Sequence, residues 1–343
     1  MSTGWGVVGL GWVARDHALP AIAADPDARL VAVCDRDPDA LAAAGPGVTA
    51  TDDLDAFLAV DGLDAVYVAT PNHAHLPVVR AVAAAGVPVL CEKPMAHTVD
   101  DACAMVDAVG AGLAGTAFDQ RFHPAHTRIR ELVAEGRIGA VTAVRIVYGC
   151  WLPPGWLPPH TATDGANWRV DTALAGGGAA IDLAPHGIDL VGTLLGEDLA
   201  TLQALTRRRV HDYVDPAADD GAVLVGATRS GTLVDAHVSF CLPDALPRRR
   251  LELVGTRGQL VAENTLGQVA GGTLTFLDAA TGAAEAVAFD PDGPFERQLA
   301  AFGAAVRGER PWPYPLARDL ALHELLLGAL DTAGPVLKEM PCP

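Results

Sequence analysis

Four groups of residues in this chain have types and spacings that can do chemistry. The first is Cys91-Glu92-Lys93-Pro94, which closes a short apolar run. An amine at a strand end can hydrogen-bond a substrate hydroxyl and relay its proton, and burial or neighbouring positive charge lowers its pKa for that task. Glu92 is placed to orient it. Lysines at strand ends are more often solvated surface residues. The second group is Asp182 and His186, four apart in a run with helical character, so that both share one face with Asp189 close by. A carboxylate and an imidazole together can hold a hydroxyl and take its proton. The same pair also serves as a cap or ion pair in many helices. Pro185, between them, removes an amide donor and is expected to bend the helix.

The third group binds phosphates. Gly9, Gly11 and Ala14 fit G-x-G-x-x-G/A. Gly9 permits the tight turn, Gly11 lets the backbone approach a pyrophosphate, and Ala14 lets the helix pack close to its strand. Leu10, Trp12 and Val13 complete the turn, and its amides and helix dipole favour an anion. Asp35 ends the next apolar run, at about the spacing of the acid that holds the adenosine ribose. It disfavours a 2′-phosphate, so NAD is the expected cofactor ahead of NADP. Arg36 works the other way, since it can stack on adenine or grip that phosphate. The fourth group is Thr70-Pro71-Asn72-His73-Ala74-His75, beyond another strand end, where ligands of open α/β sheets sit. Asn72 can reach the ribose beside the nicotinamide, or simply make a Pro-Asn turn into the next helix.

These groups need positioning elements. Residues 4–120 alternate strand and helix: strands near 6–9, 30–34, 64–70, 87–91 and 115–118, helices over 12–24, 38–44, 51–60, 73–85 and 99–109. Right-handed crossovers of these lengths give a doubly wound parallel Rossmann sheet. After about residue 122 a helix over 125–135 and a strand over 141–148 lead to a Trp/Pro-rich loop at 151–168, which reads either as a stiff surface loop or as a rim over a pocket. A helix over 178–195 follows. Short strands separated by turn signals run from 199 to 289 and predict a large, mostly antiparallel open sheet. Helices at 295–307 and 316–333 finish the chain. The expected fold is α/β, with a Rossmann domain at 1–121 and an α+β substrate-binding domain at 122–343, whose last helix can pack back on the first.

Taken together, Gly9–Ala14, Thr70-Pro-Asn-x-x-His75, Glu92-Lys-Pro94, Arg121-Phe-x-Pro124, Glu135-Gly-Arg-Ile-Gly139, Trp168-Arg169 and Gly176-Gly-Gly178 followed by Asp182 and His186 resemble the Gfo/Idh/MocA oxidoreductases over nearly the whole chain. The resemblance implies that Lys93 is the catalytic lysine, that Asp182 positions the substrate hydroxyl and that His186 exchanges its proton. It also implies a cis Lys93–Pro94 peptide and homodimer or homotetramer contacts through the second sheet. Asp119-Gln120-Arg121 departs from the Asn-Arg-Arg of many relatives. Arg121, Tyr148, His160, Trp168 and Arg169 are candidates for lining the substrate pocket.

Composition narrows the partners. At 343 residues the chain suggests two domains. A formal net charge of −18 makes nucleic acid or an anionic membrane face a poor partner. No apolar run is long enough to span a bilayer and no signal segment is evident, so a cytoplasmic protein is expected. The six cysteines form no C-x-x-C pair, and no histidine spacing suggests a metal site. The expected function is NAD(P)-dependent hydride transfer at a secondary alcohol or ketone of a sugar, cyclitol or similar molecule. Two alternatives use the same scaffold: a glycosidase or lyase with transient redox by bound NAD, and a cofactor-binding regulator without catalysis.

Overall fold

The computed structural model describes residues 2–153, 155–159, 167–210, 215 and 217–333. Its first half is a six-stranded sheet: β1 (Thr3–Val8), β2 (Ala28–Cys34), β3 (Thr49–Thr51), β4 (Ala65–Val68), β5 (Val89–Glu92) and β6 (Ala114–Ala117). The strand order is β3-β2-β1-β4-β5-β6 and every pairing is parallel. The order reverses beside β1, which opens a crevice at the strand carboxyl ends. β4 and β5 are buried at every position, as central parallel strands covered on both faces must be.

The crossovers follow the sequence signals. A π-helical turn at Ala14–Ala18 runs into α1 (Leu19–Ala24), so the expected first helix is present with one wide turn in it. Then come α2 (Pro38–Ala42), capped by Asp37, and α3 (Leu54–Leu58), capped by Asp53. A 3₁₀ turn at Asn72–Ala74 precedes α4 (His75–Ala84). α5 (Val99–Val109) is capped by Thr98, with Asp100 and Asp101 in its first turn.

The second half places α6 (Pro124–Ala134), α7 (Thr172–Ala175) and α8 (Ala179–Leu195) beside an eight-stranded sheet. Its strands are β7 (Val141–Gly149), β8 (Leu199–Arg207), β9 (Gly221–Thr228), β10 (Leu233–Ser239), β11 (Arg249–Gly255), β12 (Gly258–Glu263), β13 (Thr273–Asp278) and β14 (Ala284–Ala286). All neighbours are antiparallel except β7 and β10. α8 carries Pro185 without interruption; the proline does not break the assigned helix.

One face of this sheet buries Ile146, Leu224, Val234, Leu251 and Leu253 against α6 and α8. Toward the other face Leu205, Val223, Val225 and Leu233 stand 45–64% exposed. Two C-terminal helices clamp the halves. α9 (Pro294–Val306) sets Phe295, Leu299 and Phe302 in one core with Trp5 of β1. α10 (Leu316–Asp331) gives Leu316 to the first core and Leu322 and Leu326 to the second. Among the described residues no helix is long and apolar enough to cross a membrane.

Candidate active site

A cleft of about 830 Å³ runs between the halves, from the Gly-rich turn past the end of β5 to β7, α8 and β11. At one end, Gly9 has φ 89°, and a Cβ there would lie 2.7 Å from the Ala69 main chain, so the turn excludes any larger residue. Nothing lies within 4 Å of a Cβ built on Gly11. That open space on the cleft wall, with Leu10, Trp12 and Val13 around it, fits a pyrophosphate at a helix start. Asp35 lines the same end and accepts from the Leu10 amide at 2.5 Å and the Asp37 amide at 2.9 Å. Arg36 is beside it on the wall.

Thr70, Pro71 and Asn72 form the middle of the wall. The Thr70 hydroxyl is buried with no hydrogen-bond partner among the described residues. The Asn72 amide donates to Ala175 O at 2.8 Å, so it ties the Rossmann half to α7 instead of capping the next helix. His75 stands elsewhere: it is fully buried off the cleft, with its ring nitrogens on the carbonyls of Pro94, Met95 and Thr70. It braces the loop after β5, and burial lowers its pKa to about 4.

At the reacting end, Lys93 and Asp182 meet. Lys93 Nζ donates to Asp182 Oδ1 at 2.8 Å and to its carbonyl at 2.9 Å. Arg169 Nη1 approaches the same oxygen at 3.5 Å while its guanidinium lies over Trp168, 4.6 Å from the ring centroid. Burial works against the charged Asp182, but Lys93 and Arg169 outweigh it and hold the carboxyl at about 2. Glu92 accepts from the Tyr67 hydroxyl and from the Lys93 amide, so it fixes the backbone that carries the lysine. Burial pushes its carboxyl up. The Lys93–Pro94 peptide is cis, as the resemblance implies.

His186 lies one layer behind. Its ring is 1% exposed, edge-on to Tyr148 and Phe118, and is absent from the cleft wall. Burial first, then Lys93, push its pKa well below the usual value, so it is neutral at physiological pH. Its Nδ1 is 3.6 Å from Asp119 Oδ1, and Asp119 itself lines the cleft.

Of the expected pocket residues, Tyr148, Trp168 and Arg169 line the cleft. His160 lies outside the described residues. Arg121 is a correction: it is fully buried, bidentate on Asp189 at 2.7 and 2.8 Å, and ion-paired with Asp319. Two acids that would otherwise be stranded in the interior draw it inward. Asp189 also takes Arg318 at 2.6 Å and is absent from the cleft wall. Asp119, Trp151, Trp156, Arg249 and Gln268 line the cleft and are new to the site. Asp119 had a signal, as a departure from the family pattern, and Trp151 and Trp156 belong to the Trp/Pro-rich loop read as a possible rim; Arg249 and Gln268 depend on strand register and loop path.

A parallel sheet with a Gly-rich turn, facing an open sheet across one cleft with a lysine–carboxylate pair at its end, defines a two-part nucleotide-dependent oxidoreductase. Residues 3–115 match the model for the oxidoreductase family with an NAD-binding Rossmann fold, and residues 126–261 match the GFO/IDH/MocA C-terminal domain. The chain belongs to the Gfo/Idh/MocA oxidoreductase family. It is 32% identical over 312 residues to 1,5-anhydro-D-fructose reductase of Ensifer adhaerens, covering 89% of this chain and 88% of that one. It is 30% identical to inositol 2-dehydrogenase of Rhizobium meliloti, covering 77% and 76%. Its fold is similar to that of levoglucosan dehydrogenase in complex with NADH, with a TM-score of 0.82, 23% identity and 97% of both chains covered.

Proposed function

We propose that this protein oxidises or reduces a secondary alcohol or ketone of a sugar or cyclitol, with NAD preferred over NADP. The observation that carries the reading is the Lys93–Asp182 contact at the end of the cleft that begins at Gly9–Val13. Leu10 to Val13, Asp35, Arg36, Thr70, Pro71, Asn72 and Glu92 are the residues that would hold the cofactor. The bound nicotinamide supplies the hydride acceptor or donor. Lys93 hydrogen-bonds the substrate hydroxyl and stabilises the oxygen as negative charge develops on it. Asp182 holds that amine in place. His186, neutral and 3.6 Å from the cleft residue Asp119, is the group that exchanges the hydroxyl proton. Asp35 supports NAD, because a 2′-phosphate would meet a carboxylate already fixed by two amides.

The relatives named above act on sugar-like and cyclitol molecules by their names, which supports the substrate class. The exposed apolar positions on β8, β9 and β10 support self-association through the open sheet face as a homodimer or homotetramer. The test is a panel of inositols and aldoses with both cofactors, followed at 340 nm. Net NADH formation with at least one member is expected. Product without net cofactor change would favour the transient-redox alternative, and no turnover of any member would favour a regulator.

A further inference from the structure

We propose that the substrate carries an anionic group, a carboxylate or a phosphate, and that Arg249 holds it. This rests on the sugar oxidoreductase reading of the same cleft and narrows its substrate class.

Arg248 precedes β11, Arg249 and Arg250 start it, and the three divide by partner. Arg248 pairs with Asp244, and Arg250 pairs with Glu252 and with Glu263 at 2.6 Å. Arg249, between them, points the other way along the pleat. It is in register with Tyr148 of β7, its guanidinium is 5.8 Å from the Tyr148 ring centroid, and both side chains line the cleft. No described Asp or Glu comes within ion-pair distance of it, and its Nε is buried with no hydrogen-bond partner among the described residues.

The other acids and bases at this end have nearest partners other than Arg249. Lys93 and Arg169 share Asp182, Glu92 is held by Tyr67 and the Lys93 amide, and Asp119 faces His186. Arg249 is therefore a cation on the wall without a counter-charge among the described residues. Gly267 makes room for it, since a Cβ there would collide with Nη1, and Gln268 follows on the same wall. A guanidinium partly withdrawn from bulk water without an anion carries a cost, and its planar donor fork matches a carboxylate or a phosphate. A ligand that brings the missing charge recovers that cost. A neutral sugar does not.

The experiment measures binding to the NADH-loaded enzyme by titration calorimetry. The probes are D-glucose, D-glucuronate and D-glucose 6-phosphate, with D-galactose and D-galacturonate as a second pair. At least one charged probe is expected to bind tenfold or more tightly than its neutral parent. Whether the uronate or the phosphate leads identifies the anion. Arg249→Met is expected to remove most of that tenfold preference, and Arg249→Lys to keep part of it. No preference for the charged probe in either pair overturns the inference. So does an equal weakening of charged and neutral probes in Arg249→Met, which would leave Arg249 as a support for Tyr148 alone. The two readings fail differently. If only this one is wrong, neutral sugars supplied with NAD+ in place of NADH reduce it, and their charged derivatives do so more slowly. If the oxidoreductase reading is wrong, no probe changes the absorbance at 340 nm, while the calorimetric preference still reports on Arg249.

Discussion

Lys93 and Asp182 come from opposite halves of the molecule and touch: the ammonium at the end of β5 donates to the carboxylate on α8 at 2.8 Å. The contact is partly shielded, with side-chain exposures of 12% and 24%, so it is worth more than a surface pair. Removing the charge on one side should therefore affect chemistry before it affects folding. Asp182→Asn is expected to lower kcat/KM by about a hundredfold, in line with loss of one positioned proton-transfer partner. Initial rates with the best substrate of the panel check this. A change within threefold would leave Asp182 without a role in positioning the lysine.

Arg121 should behave in the opposite way. Its loss leaves Asp189 and Asp319 buried with less counter-charge. Arg121→Leu is expected to cost about 3–5 kcal/mol of stability in urea unfolding. The surviving folded enzyme should keep its substrate KM within about twofold. A tenfold rise in KM with unchanged stability would return Arg121 to the substrate pocket.

Much of this architecture is legible in the sequence, because local rules and the tertiary outcome agree there. Gly9, Gly11 and Ala14 need one turn, and the turn forms. The apolar runs ending at Asp35, Thr70 and Lys93 bring their last residues to one edge because parallel strands share a direction. Long-range charge pairing is not legible in this way. Arg121 looks available for substrate until Asp189 and Asp319 are seen on either side of it, separated by 68 and 198 positions in sequence. His75 and His186 show why a residue type does not settle exposure: both rings are buried, one bonded to three carbonyls and the other packed on Tyr148. Arg249 joins the site only through its register opposite Tyr148, which periodicity does not reveal.

Cofactor choice turns on Asp35. Replacing it by Ser removes the charge that opposes a 2′-phosphate and leaves Arg36 nearby. Asp35→Ser is expected to shift the NADP/NAD ratio of kcat/KM toward NADP by about tenfold or more, since one unfavourable charge contact of about 1.4 kcal/mol is a factor of ten. A ratio unchanged within twofold would mean that Asp35 serves the turn through its amide bonds and does not select the cofactor.

Acid should unfold the protein early. Burial lowers His75, His126 and His323 to about 4 and His123 to about 3, and pushes His186 down as well. The unfolded chain binds protons near 6.5, so it takes up more protons than the native state between that value and the folded ones. This contribution is complete above 6.5 and is lost as pH falls toward 4. Urea unfolding is expected to show higher stability at pH 7.5 than at pH 5, with the raised buried acids Glu92, Asp119, Asp219 and Asp319 offsetting part of the difference. Equal stability at the two values would contradict this expectation.

The central claim is that the Lys93 amine acts on the reacting oxygen, and Lys93→Met tests it most directly. The substitution keeps much of the side-chain bulk and removes the charge. With the best substrate and saturating cofactor, kcat/KM is expected to fall by about 10²–10⁴-fold, while NADH affinity, read by fluorescence titration, stays within about threefold. Turnover within twofold of the unsubstituted enzyme, with NADH bound normally, would contradict the account.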